Sequence, residues 1–139
     1  MKELEIYIDG ASKGNPGPSG IGVIISRAGV VVKNISSFIG NATNNIAEYT
    51  ALIYALQEAL VLKAESLKIK TDSQLLARQL NKIYKVKNAN IIGLYNQAVF
   101  LLSFFKEVSI VNIPREENQG ADRLATEAVK KEFKKPVYL

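Results

Sequence analysis

The sequence predicts an α/β domain: a five-stranded mixed sheet, three antiparallel strands followed by two parallel ones, with helices on both faces. Three observations predict it. Three β-rich runs follow one another before residue 43, separated by turn-forming residues. Beyond residue 43, helical and strand periodicities alternate, the order that lays successive strands parallel. The helical segments carry apolar faces that need a sheet to cover.

Residues 3–9 (ELEIYID) alternate, with Leu4, Ile6 and Ile8 on one side and Glu5, Tyr7 and Asp9 on the other, so they read as a half-buried strand. Residues 10–20 hold Gly14, Asn15, Pro16, Gly17, Pro18 and Ser19 and read as a turn-rich loop. Two β-rich runs, 21–26 and 30–39, flank Arg27-Ala28-Gly29, a hairpin connection. Thr43 and Asn44 offer N-caps to a helix over 45–62, carried by Tyr49, Ile53, Leu56 and Leu60. A fourth strand (66–71) ends at Asp72-Ser73, where a short helix over 73–81 opens. The basic connector 82–90 leads to a helix over 90–105 that is apolar on most sides and is therefore expected to be deeply buried. A fifth strand (107–113), a loop (114–118) and an amphipathic helix (119–133) with Ala121, Leu124, Ala125 and Ala128 inward complete the order, before a short tail over 134–139. The whole chain, 1–139, reads as a single domain, and a length of 139 residues supports one core without staples.

Composition narrows the chemistry. There is no cysteine and no histidine. Disulfides, thiolate or imidazole metal sites and histidine-based nucleophile systems are thereby excluded. Catalysis would rest on carboxylates, lysine, tyrosine or hydroxyls, and an all-oxygen site suits Mg²⁺ or Mn²⁺. A net charge of +5 favours polyanionic partners. With no signal-like N-terminus and no apolar run of spanning length, a cytoplasmic protein without membrane association is expected.

Four acids sit at element boundaries. Asp9 ends the first strand and Asp72 the fourth; if these strands lie parallel and adjacent, their carboxylates are neighbours beyond the strand ends, where open sheets bind ligands. Glu48 starts a stripe with Leu52, Ala55 and Ala59, and an inward carboxylate is costly unless something pairs with it. Asp122 opens the last helix. Taken singly, each has a plain structural explanation: a helix-dipole partner for Glu48 and Asp122, an N-cap for Asp72, a turn start for Asp9.

Together the segments YIDGASKGNPGP (7–18), ATNNIAEYTAL (42–52), TDSQ (71–74) and NQGADRLA (118–125) strongly resemble the type 1 ribonuclease H family, in the family's own order from Ile6 to Ala128. The resemblance implies the ribonuclease H-like fold and a hydrolase, an endonuclease that cuts the RNA strand of RNA–DNA hybrids and leaves 5′-phosphate and 3′-hydroxyl ends. It implies that Asp9, Glu48, Asp72 and Asp122 hold Mg²⁺ or Mn²⁺, two ions with substrate bound, about 4 Å apart, acting on the attacking water and the leaving 3′ oxygen. It places Asn15, Asn44 and Gln74 along the minor groove, the Gly14–Gly17 loop close to the strand, and Thr43 and Ser73 at a phosphate of the DNA strand.

Two departures stand out. Where many members carry a histidine before the last helix, this chain has PREEN (114–118), and Arg115 is an expected auxiliary group unless it is merely solvated. The basic protrusion of some members is reduced to Lys82, Lys85 and Lys87 with Tyr84; Lys85 and Lys87 are candidates for the DNA backbone, with a solvated turn the equal alternative. The lysines 130, 131, 134 and 135 read as a solvated helix end. The alternative function on the same fold is a non-catalytic module binding RNA–DNA hybrid or double-stranded RNA. Met1 directly before the first strand favours a free-standing enzyme, and no obligate protein partner is inferred, so a monomer is expected.

Overall fold

The computed structural model describes residues 3–134. The expected tail beyond Lys134 lies outside the described residues. The elements are β1 (Glu3–Ser12), β2 (Gly17–Arg27), β3 (Val30–Ala42), α1 (Asn44–Val61), β4 (Ser66–Thr71), α2 (Gln74–Leu80), α3 (Ala89–Leu102), β5 (Glu107–Asn112), a 3₁₀ turn (Arg115–Glu117) and α4 (Gln119–Lys134). The sheet order is β3-β2-β1-β4-β5. β1 pairs antiparallel with β2, and β2 with β3; β1–β4 and β4–β5 are parallel. The expected mixed sheet is the one found.

Alternation sets the two faces. Leu4, Ile6, Ile8, Ile21, Val23, Ile25, Leu67 and Ile69 are buried and meet the α1 residues Leu52, Leu56 and Ala59. α4 lies on the opposite face through Ala121, Ala125, Ala128 and Val129. Both helices come so close to the sheet that backbone meets backbone. A Cβ on Gly10 would overlap the Ala47 backbone of α1, and one on Gly22 would overlap the Ala121 carbonyl of α4.

These seats correct one expectation. Residues 10–20 are not a loop: β1 continues to Ser12 and β2 begins at Gly17, with Ala11 opposite Gly20 and Ser12 opposite Ser19. Only 13–16 form the turn, where Gly14 has φ +102° and Lys13 N–H donates to Pro18 O at 2.8 Å. Gly10 and Gly20 read as turn residues, but they are small because a helix crosses over them. The Ala28-Gly29 hairpin is as expected, both residues having positive φ, the conformation that matches strand twist.

α3 is the second correction. Its only fully buried residues are Ile91 and Ala98, while Phe100 is 62% exposed. The helix packs chiefly on α1, so only one stripe is covered. α2 is tied to α1 by the buried Tyr49 hydroxyl, which donates to Gln79 Oε1 at 2.6 Å.

Gly22→Ala is expected to destabilise the fold by about 1–3 kcal/mol, the usual range for overpacking a filled core. Urea unfolding measures it, and an unchanged midpoint would mean that α4 is not seated on β2 as described.

Candidate active site

The parallel register brings the first two acids together. Ile8 of β1 lies opposite Thr71 of β4, so Asp9 and Asp72 follow side by side. Chain direction changes at Asp72 because Ser73 caps α2, its Oγ accepting from Leu76 N–H at 3.1 Å. β1 itself runs three residues past Asp9, so the acid lies within the strand and not at its end. Glu48 arrives from α1, whose N-terminus is capped by Thr43 Oγ1 accepting from Ile46 N–H at 3.2 Å and which is seated on Gly10. Asp122 arrives in the first turn of α4.

Asn118 fixes the last placement, and sequence reasoning did not single it out. It is 1% exposed. Its Nδ2 donates to Ile8 O at 2.9 Å and to Asp72 Oδ2 at 3.2 Å. Both partners accept only, which uses both amide hydrogens and sets the orientation of the side chain. Its backbone carbonyl accepts from Asp122 N–H at 3.1 Å. One residue therefore anchors β1, Asp72 and the start of α4. In sequence it is an ordinary asparagine before a helix; burial is the signal, and burial is not written locally.

Asp9, Glu48, Asp72 and Asp122 line one cleft of about 330 Å3, together with Ser12, Asn44 and Arg115. Burial, the charge of Asp72, a hydrogen bond with Asp122 and the charges of Asp122 and Glu48 push the Asp9 carboxyl up to about 9. Burial raises Glu48 to about 7, with the Ser73 hydroxyl pulling it down and Asp72 pushing it up. Glu48 Oε2 is buried without a hydrogen-bond partner. A carboxylate oxygen left bare among other acids is a position that a cation satisfies, and the all-oxygen donors suit a hard divalent ion. Among the described residues no three such side chains close into a ready-made cage.

A second cavity of about 380 Å3 adjoins the first, sharing Asn44. Asn15, Thr43, Asn44, Asn45, Asn88 and Asn90 line it. Asn44 N–H donates to Asn15 Oδ1 at 2.9 Å, and Ser12 N–H donates to Asn44 Oδ1 at 3.0 Å. These bonds lace the 13–16 turn to α1 and leave the donating Nδ2 ends of both amides for a ligand. Gly14 is exposed in the turn, and Gln74 is exposed at the start of α2. Ser73 caps α2 and bonds Glu48, while Thr43 caps α1 and lines the amide cavity. Lys85 and Lys87 are exposed on the connector leading into Asn88. Asn88 and Asn90 were not anticipated, because their place beside Thr43 depends on α3 stacking against α1.

The family model described as reverse transcriptase-like matches residues 7–128. A bifunctional protein of Mycobacterium tuberculosis is 40% identical over 91% of this chain, which spans 35% of that relative's length. Ribonuclease HI of Halobacterium salinarum is 41% identical over 91% of this chain and 64% of its own. The crystal structure of RNase H1 from Halobacterium salinarum superposes with a TM-score of 0.90 at 37% identity, covering 93% of this chain and 98% of that one. LC11-RNase H1 in complex with RNA/DNA hybrid superposes with a TM-score of 0.88 at 36% identity, covering 94% and 99%.

The raised carboxyls have a sign that can be measured. An unfolded chain loses the Asp9 proton near pH 3.8, whereas the folded one keeps it to about 9. Between those values the native state binds more protons, so metal-free stability falls as pH rises. In chelator, Asp9→Asn is expected to melt above the parent protein by roughly 5 °C at pH 8 and by less at pH 5. A lower melting temperature at pH 8 would contradict the electrostatic account.

Proposed function

This chain belongs to the ribonuclease H family, and on that footing we propose that it hydrolyses the RNA strand of RNA–DNA hybrids at the cleft bordered by Asp9, Glu48, Asp72 and Asp122. The observation that carries the reading is the convergence of four acids from β1, α1, the end of β4 and α4 on one cleft, with a bare buried oxygen on Glu48. The relative solved with an RNA/DNA hybrid supports the substrate.

The four carboxylates would hold Mg²⁺ or Mn²⁺, two ions when substrate is bound. Ions held there would supply a nucleophilic water at neutral pH and would neutralise charge at the scissile phosphate and the leaving 3′ oxygen, giving 5′-phosphate and 3′-hydroxyl products. The chain's own residues do the positioning. Asn118 holds the Asp72 carboxylate. Ser73 bonds Glu48 and so favours its ionised form. Asn15 and Asn44 present amide donors to the minor groove, where 2′-hydroxyls mark the RNA strand. Thr43, with the amides around it, faces the uncleaved strand across the second cavity. Gln74 and Ser73 at the start of α2, and the Gly14 backbone, complete the edge of the groove. Lys85 and Lys87 screen the DNA backbone.

Arg115 lies on the rim of the carboxylate cleft, with no histidine in the chain to take its place. Its fixed positive charge favours departure of the phosphate product.

Labelled RNA–DNA hybrid should be cut with Mg²⁺ or Mn²⁺ and left intact in chelator, while double-stranded DNA survives. Asp72→Asn should lower turnover by on the order of 10²–10³-fold, the scale of losing one electrostatic stabiliser. Cleavage that persists in chelator, or full activity in Asp72→Asn, would defeat the proposal. Arg115→Ala should slow turnover severalfold while leaving calorimetric Mg²⁺ affinity in place; an unchanged rate removes Arg115 from the reaction.

A further inference from the structure

The carboxylate cleft does not end at its acids. On the side away from the amide cavity it opens onto α4. Arg115 and Asp122 border both the cleft and a broad groove of about 690 Å3 along the outer face of α4. Ala11 and Ser12 border both the cleft and a smaller hollow of about 250 Å3. That groove and that hollow share Thr126 and Lys130. The three spaces therefore form one continuous depression, running from the catalytic acids to the far end of α4.

The far end has a particular chemistry. Phe133 is 61% exposed and lines the hollow. Lys13, from the turn between β1 and β2, places its Nζ 5.5 Å from the centre of that ring. Lys130 lines the same hollow, whose surface is otherwise mainly apolar, with Val129 and Ala11. Glu116 and Glu127 line the middle of the path. Cationic charge runs along the path, with Arg115 beside the acids, Arg123 on the groove between, and Lys13 with Lys130 around the ring. The lysines at the end of α4, expected from sequence to be simply solvated, include one that shares a site with an aromatic ring and with a lysine more than a hundred residues earlier in the chain.

We propose that this hollow is a binding site for a single-stranded continuation of the cleaved RNA strand, with one base stacked on Phe133 and the flanking phosphates held by Lys13 and Lys130. The inference rests on the ribonuclease H reading of the cleft. An exposed aromatic ring beside cations, in a groove continuous with a nucleic-acid cleft, is the arrangement that holds unpaired bases without sequence demand. A base inside a duplex has both faces stacked on its neighbours, so an unpaired base is the one free to lie on the ring. The RNA strand is the one assigned because it is the strand that the acids act on in the proposed function, and the hollow shares Ala11 and Ser12 with the cleft that those acids border. From Asp122 to Phe133 along α4 is about 16 Å at the helical rise.

Hybrids of one duplex length test this, either blunt or with an eight-nucleotide RNA overhang at the 5′ or the 3′ end. An overhang at one end should tighten binding roughly tenfold over the blunt hybrid, the scale of stacking one base. That ratio should fall towards one in Phe133→Ala and in Lys13→Ala. An overhang gain absent at both ends, or a gain that survives both substitutions, overturns the inference. So does a lowered melting temperature in Phe133→Ala with no change in the overhang ratio, which would mark the hollow as a packing site for the chain's own residues. Cleavage of the blunt hybrid by the parent protein reports on the proposed function separately, so the two failures are distinguishable.

Discussion

Mutual repulsion among four carboxylates is the constraint around which this structure is arranged. Left to themselves, Asp9, Glu48, Asp72 and Asp122 would separate into solvent; burial and proximity instead push the Asp9 and Glu48 carboxyls upward. The scaffold must hold them together before any counter-ion compensates. It does so with rigid parts: a parallel strand pair for Asp9 and Asp72, and two helices seated directly on the sheet backbone for Glu48 and Asp122. The unfavourable electrostatics is carried by an apolar core that has no part in the chemistry.

The close seating of α1 and α4 is the mechanical link between core and cleft. Gly10 lets α1 approach β1 at the level of Glu48, and Gly22, paired with Asp9 across the β1–β2 ladder, lets α4 approach at the level of Asp122. A side chain at either position would lift a helix end and carry its acid outward. Asn118 works in the same place through hydrogen bonds, joining the Ile8 carbonyl, the Asp72 carboxylate and the first turn of α4. Fold stability and the placement of the four acids are therefore coupled through the same few contacts.

The surface around the cleft divides by chemistry. Amides with their oxygens already engaged lie on one side, presenting donors. On the other side lie cations and an exposed ring. The donors suit a duplex groove rich in acceptors, and the ring with its lysine suits unpaired bases. This asymmetry belongs to the chain's own residues at 13, 88, 90 and 133, and it is separate from the four acids that define the family resemblance.

The succession of strands and helices along the chain, and the motifs that carry the four acids, were legible in the sequence, because they rest on local periodicity and on contiguous residues. Leu4, Ile6 and Ile8 alternate whatever surrounds them, and Leu52, Ala55 and Ala59 mark the buried stripe that begins at Glu48. What the tertiary structure alone decided are the facts that depend on which element crosses which. Gly10 and Gly20 looked like turn residues, since a glycine needed for close approach is indistinguishable in sequence from one needed for a turn. α3 looked buried because its apolar residues say nothing of how many neighbours it has. Asn118, Asn88 and the pairing of Lys13 with Phe133 were invisible for the same reason: burial and contact between distant residues are set by packing, which no local stretch of the chain encodes.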